Sequence, residues 1–249
     1  MDVQYYKEAS KHLHREMEFK TYGRSGKVCL AFPSQNGHFY DFENFHMTDT
    51  VAKWIEQGRL FLVCPDSIDE ETWSDEGGDP RRRIERQEAW LHYIVDELLP
   101  RVRELAGAED TDKAMVTGCS MGAVHAGNFF FRHPDRFDAV IGLSGVYNAS
   151  YFFHGYSDDL VYANSPASFL SNMPEDHPYM ELYRQSKMYF CVGQGAWEDD
   201  LLAGTRELDT ILCQKGIPAV FDYWGYDVCH DWCWWQKQLP YFMEKVLGA

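Results

Sequence analysis

The chain has 249 residues, enough for one α/β domain to bury a large core without disulfide or metal staples. Hydrophobic residues at 45% and charged residues at 25% exclude a disordered or fibrous protein. With 23 basic and 39 acidic residues the net charge is −16, a surface that repels nucleic acid and anionic membranes and is compatible with neutral or cationic small molecules.

The elements follow in chain order. Gln4–Ser10 and Arg15–Tyr22 read as strands at the start of a sheet. Lys27–Phe32, an apolar run closed by Pro33, suits a strand buried on both faces. Asp49–Gln57 has helical spacing, with Val51, Trp54 and Ile55 on one side and Gly58 at the end. Leu60–Cys64 is a second buried strand. Pro80 opens a long helix in which Ile84, Trp90, Leu91, Ile94, Val95 and Leu98 recur at three and four. Ala114–Thr117 is the next strand, Met121–Phe131 a helix and Ala139–Leu143 a strand after it. Strand Lys187–Val192, helix Asp199–Lys215, strand Ala219–Tyr223 and helix Trp232–Val246 complete the chain. Strands alternating with helices predict a mostly parallel central sheet with helices on both faces, in a single domain spanning 1–249. An aromatic-rich insertion around 146–185 (Tyr147, Tyr151, Phe152, Phe153, Tyr156, Tyr162, Phe169, Tyr179, Tyr183) is expected to cover the active site.

The seven cysteines are an odd number and mostly lie in apolar stretches, where a free thiol behaves as a small hydrophobe. The N-terminus lacks the basic-then-apolar pattern of a signal peptide, and no apolar run nears the ~20 residues of a membrane span. A reducing, cytoplasmic setting is therefore expected.

Ligands of such sheets bind at the carboxyl ends of the strands, so the loops there carry the argument. Strand Ala114–Thr117 runs into Gly118-Cys119-Ser120-Met121-Gly122, a G-x-S-x-G. In this arrangement the serine sits on a strained strand-to-helix turn and the small residues let the chains pass. Its hydroxyl then projects at the head of a helix, where backbone N–H groups can hold an oxyanion. Spacing alone arises by chance in roughly one chain of this length in fifteen. The buried strand before it and the small-residue helix start after it make it specific. Cys119 is expected to point into the sheet, and His125, within the helix, to be structural.

The nucleophile-elbow pattern implies the chain order serine, acid, histidine. His230 alone among ten histidines lies between the last strand and the last helix. After Lys187–Val192 the chain reads Gly193-Gln194-Gly195-Ala196-Trp197-Glu198-Asp199-Asp200, offering three carboxylates. Asp199 is favoured as the group that orients the imidazole, then Glu198, then Asp200; at least one of them caps the helix. For the oxyanion hole the Met121 N–H and the Gln35 N–H are assigned, with Asn36 as the alternative to Gln35, from the turn Pro33-Ser34-Gln35-Asn36-Gly37.

At these residues the sequence resembles the esterase family of α/β hydrolases that includes esterase D-type S-formylglutathione hydrolases, feruloyl and acetylxylan esterases, and mycolyltransferases. Within it, the chain is most similar to a compact bacterial branch. The resemblance covers nearly the whole chain. It is carried by Phe32–Gly37, Asp66–Asp69, Gly118–Ala126, Arg132–Phe137, Leu143–Tyr147 and His230-Asp231-Trp232. It implies the α/β-hydrolase fold, Ser120 as nucleophile, His230 as base and an acid near Asp199. The acid loop departs from the branch, which has a Gly-x-Glu-Trp-Asp run where this chain has Ala196-Trp197-Glu198-Asp199. Alignment from the following helix sets Asp199 in the acid's place; a shift of one residue selects Glu198.

The expected activity is that of a serine esterase hydrolysing short acyl or aryl esters through an acyl-enzyme, with a small-molecule ester as partner and neither cofactor nor metal. An acyltransferase or thioesterase would use the same residues, and a non-catalytic binding protein the same scaffold. A metal site at Cys229, His230 and Cys233 is disfavoured, because adjacent Cys-His chelates poorly and no fourth ligand is near in sequence. Homo-oligomerisation stays open.

Overall fold

A computed structural model describes residues 1–249. Eight strands form one sheet in the order β1-β2-β4-β3-β5-β6-β7-β8. They are β1 (Val3–Ser10), β2 (Arg15–Tyr22), β3 (Lys27–Phe32), β4 (Leu60–Pro65), β5 (Ala114–Cys119), β6 (Phe137–Leu143), β7 (Lys187–Val192) and β8 (Val220–Tyr223). The β1–β2 hairpin is antiparallel, as is the β2–β4 pair; β3 to β8 all run parallel. The central strands β3, β4 and β5 are buried almost throughout, as their apolar runs favour, whereas β1 at the edge is exposed or half-buried up to its last residue.

Twelve α-helices connect and cover the strands: α1 (Asp41–Asn44), α2 (Met47–Thr50), α3 (Ala52–Glu56), α4 (Pro80–His92), α5 (Leu99–Ala106), α6 (Met121–Arg132), α7 (Ser150–Phe153), α8 (Asp159–Ala163), α9 (Pro166–Asn172), α10 (Tyr179–Gln185), α11 (Asp199–Gln214) and α12 (Trp232–Leu247). Two hydrophobic layers lie on opposite faces of the sheet. One gathers Leu30, Phe32, Trp90 and Phe129 beneath α4–α6; the other gathers Cys29, Trp54, Ile141 and Phe242 beneath α3 and α12. The single helix expected over Asp49–Gln57 is broken at buried Val51 (φ −111°, ψ 6°) into α2 and α3. The helix opened by Pro80 runs past Leu98 into α5, through a π-helical turn at Tyr93–Leu98. Pro100, in the first turn of α5, has no N–H to give back to that turn.

Between β3 and β5 the chain changes direction across the sheet, β4 lying on one side and β5 on the other. The crevice at such a reversal is where the carboxyl-end loops part and a ligand can enter. Here the loops after β3 and β5 face each other.

Candidate active site

Ser120 joins β5 to α6 with φ 57° and ψ −123°, a conformation L-residues seldom adopt and which costs about 1–3 kcal/mol. Two contacts hold it. A Cβ on Gly118 would overlap the Gly122 backbone, and one on Gly122 would overlap the carbonyl of Phe32, so only glycine allows α6 to pass this close. The Ser120 N–H donates to the Leu143 carbonyl at 2.8 Å, tying the turn to the end of β6.

His230 approaches from the loop between β8 and α12. Its Nε2 lies 2.9 Å from Ser120 Oγ and its Nδ1 lies 3.4 Å from Glu198 Oε2. Asp231, next in sequence, caps α12 by accepting from the Cys233 N–H, and the indole of Trp235 packs edge-on to the imidazole at 4.8 Å. Glu198 is buried, with its other oxygen accepting from Ser144 Oγ at 2.8 Å. Ser144, itself at φ 57°, accepts in turn from Trp235 Nε1 at 3.3 Å. A continuous line of contacts therefore runs from the serine hydroxyl through imidazole and carboxylate to an indole.

Glu198 rather than Asp199 meets the histidine because of how two loops are joined. Gly195 N–H donates to the Val228 carbonyl at 2.8 Å, and His230 N–H to the Ala196 carbonyl at 3.0 Å. Side chains at Gly193 and Gly195 would collide with Val228, so the loops can close this tightly. Trp197 then turns at φ 68° and stands 86% exposed, and Glu198 enters the interior as the residue before α11. Asp199 and Asp200 become the first turn of that helix, where their charge complements its N-terminus, and both line the cavity before Ser120. The expectation that Asp199 orients the imidazole is thus corrected. Both ring nitrogens of His230 are occupied, one by Ser120 and the other by Glu198.

That cavity has a volume of about 340 Å³. Val124, Val146, Tyr151, Phe152, Leu201 and Trp197 form its apolar walls, with Gln35 and Met121 beside Ser120. Beside Ser120, Met121 is the first residue of α6, so its N–H has no partner within the helix. The N–H of Asn36 is committed to Asp69 Oδ2 at 3.2 Å, while the Gln35 N–H makes no hydrogen bond. Cys119 lies buried beneath the turn, and burial pushes its thiol far above the usual range, so it offers no competing thiolate.

A family model named Esterase, described as "Putative esterase", matches residues 10–245. The chain belongs to this family. No curated protein sequence matches the esterase. Among solved structures it is similar to a ferulic acid esterase (18% identity, 99% of this chain and 98% of that one covered, TM-score 0.77). It is also similar to S-formylglutathione hydrolases from Agrobacterium tumefaciens (13%, 98% and 93%, 0.76) and Staphylococcus aureus (12%, 99% and 98%, 0.73). The fold is the α/β-hydrolase fold, and the enzyme is a serine carboxylic-ester hydrolase.

Of the residues named from the sequence, Ser120, His230, Met121 and Gln35 come together at the cavity. Asp199 reaches the cavity but not the histidine. The roles of Ser144 and Trp235 were not legible, since nothing in a serine after β6 announces that it donates to a carboxylate from another loop, or in a tryptophan of α12 that it donates to that serine. The aromatic segment covers less of the site than its composition suggests. Only Tyr151 and Phe152 line the cavity; Tyr147, Phe153 and Tyr183 are buried in the core.

Proposed function

We propose that the enzyme hydrolyses esters of small acyl or aryl acids through an acyl-enzyme on Ser120, with His230 as general base and Glu198 as the carboxylate that orients it. The observation that carries this reading is the unbroken contact line from Ser120 Oγ through both nitrogens of His230 to Glu198. His230 takes the hydroxyl proton as Ser120 Oγ attacks the ester carbonyl. Glu198 holds the proton on Nδ1 and stabilises the imidazolium that forms. The charge gathering on the carbonyl oxygen is received by the N–H groups of Met121 and Gln35, both left without a protein partner. His230 then protonates the departing alcohol, and water, activated by the same imidazole, releases the acid. At 3.4 Å the contact at Nδ1 is at the long end for a hydrogen bond, and charge on the imidazolium strengthens it.

The cavity of about 340 Å³ is at the small end for ligand sites, and its walls are apolar and aromatic. Both features suit an acetyl-sized or single-ring acyl group. The structural neighbours' names point to ferulic acid and to S-formylglutathione as substrates of those proteins. A glutathionyl group is anionic, and the cavity here carries Asp199 and Asp200 with no lysine or arginine, which favours the neutral aryl ester.

The test is hydrolysis of p-nitrophenyl esters by wild type and Ser120→Ala. The variant is expected to fold and to lose about 10⁴-fold or more in kcat. A fluorophosphonate should add its mass to the peptide bearing Ser120, on the serine and not on Cys119. A variant keeping a tenth of wild-type activity, or an adduct elsewhere, would sink the assignment.

A further inference from the structure

Beneath the oxyanion position lies a second carboxylate–imidazole pair, sealed in the core. Asp69 and His125 have side-chain exposures of 1% and 0%, and Asp69 Oδ1 sits 2.8 Å from His125 Nε2. Neither residue lines the cavity before Ser120. Withdrawing a carboxylate from water costs several kcal/mol, so a buried one persists only where its oxygens are bonded. Asp69 satisfies that demand with two partners from different elements. Oδ1 meets the histidine of α6, and Oδ2 accepts the N–H of Asn36 at 3.2 Å.

We propose that Asp69, anchored by His125, is a positioning residue for ester hydrolysis: it fixes the turn after β3 so that the Gln35 and Met121 N–H groups converge on one oxyanion. The proposal rests on the reading of those two groups as the oxyanion donors. Asn36 directly follows Gln35, and His125 lies one helical turn after Met121. The Asp69 carboxylate therefore joins the supports of both donors. Asn36 is held at φ 55°, a left-handed conformation that asparagine tolerates but does not prefer. Without its N–H tether the turn can relax, carrying the Gln35 N–H away from the reacting carbonyl. By accepting the Asn36 N–H, Asp69 also leaves Gln35, and not Asn36, as the donor that the turn after β3 offers beside the Met121 N–H.

The imidazole is suited to an anchor and not to acid–base work. The rings of Trp90, Phe32 and Trp73 surround it with centroids 4.7, 6.0 and 6.5 Å away, and its Nδ1 has no partner. A carboxylate oxygen only accepts, so the ring nitrogen facing Asp69 Oδ1 carries the proton, and the ring is held donating from Nε2.

The experiment compares Asp69→Leu and Asp69→Asn with wild type. It measures kcat and KM on p-nitrophenyl acetate, the thermal midpoint, and inhibition by an aryl trifluoromethyl ketone, which forms a tetrahedral adduct with a catalytic serine. Asp69→Leu fills the site without leaving a buried charge. It is expected to lose about 10²-fold in kcat, the scale of one misplaced oxyanion donor, with KM changed by less than about threefold. Ketone affinity should fall in parallel, which a purely structural role would not produce. Asp69→Asn can still accept from Asn36 while its amide donates to the other tautomer of His125, and should stay within about tenfold of wild type. The proposal is overturned by a folded Asp69→Leu with kcat within threefold of wild type, or by lost kcat with ketone affinity unchanged. If Asp69→Leu does not fold, Asp69→Asn decides, and a folded Asp69→Asn reduced a hundredfold overturns it. A wild-type protein that neither cleaves the ester nor binds the ketone would refute the reading of the site itself, a result distinct from either variant's behaviour.

Discussion

At the scale of single residues, the acid loop shows how one position changes a chemical assignment. Glu198 and Asp199 are adjacent carboxylates, and local sequence gives no reason to prefer the longer one. The structure separates them by exposure and by partner: Glu198 is 1% exposed and bonded to Ser144 and His230, whereas Asp199 opens a helix beside solvent. Glu198→Gln is therefore expected to reduce kcat by about 10³–10⁴-fold, because the amide can donate to Nδ1 and favour the unproductive tautomer. Asp199→Asn should change kcat on a neutral ester by less than about threefold, the scale of a surface substitution. Steady-state rates on one neutral p-nitrophenyl ester decide between them, and the reverse order of damage would return the role to Asp199. Ser120 and His230 were legible because each occupies a position that the order of strands already singles out. The acid was not, because its identity depends on the hydrogen bonds Gly195–Val228 and Ala196–His230 between loops far apart in sequence.

At the scale of elements, the segment from 146 to 185 is less a cover than a buttress. Tyr147, Phe153 and Tyr183 pack in the core, whereas Tyr151 and Tyr162 stay exposed. Tyr147 fills a slot left by Gly127, Gly142 and Gly145, where any side chain would strike it, and Tyr183 lies fully buried. Arg83 of α4, buried, donates to the carbonyls of Thr72, Trp73 and Phe152 and stacks its guanidinium over Phe153 at 4.6 Å. This pins the start of the segment where Tyr151 and Phe152 wall the cavity. A lid must leave its seat to admit lipid, and these contacts give it no apolar underside free to do so. The rate should accordingly peak at acetyl to butyryl or at single-ring aryl esters, and should not jump above the micelle concentration. The measurement is kcat/KM from acetyl to palmitoyl; a maximum at long chains would make the segment a lid after all.

For the whole molecule, the net charge of −16 acquires a direction once the cavity is seen to hold Asp199 and Asp200 and neither lysine nor arginine. Charged walls in a narrow cleft act on a substrate more strongly than the same charges dispersed in water. Matched esters differing only in the charge of a remote group should differ in kcat/KM by about tenfold or more at low salt, cationic over anionic, and the gap should narrow at high salt. Equal rates for the two would show that solvent screens both carboxylates. What the sequence determined by itself was whatever depends on local pattern. Apolar runs such as Lys27–Phe32 and Leu60–Cys64 suit strands covered on both faces, and Gly118 and Gly122 around Ser120 suit a tight strand-to-helix turn. What the tertiary structure alone decided depends on contacts between separate loops. Those contacts put Glu198 against His230, set Asn36 on Asp69 and leave the Gln35 N–H free. The physical reason is that a buried carboxylate is placed by the partners that offset its lost hydration, and those partners come from elements that meet only when the sheet has closed.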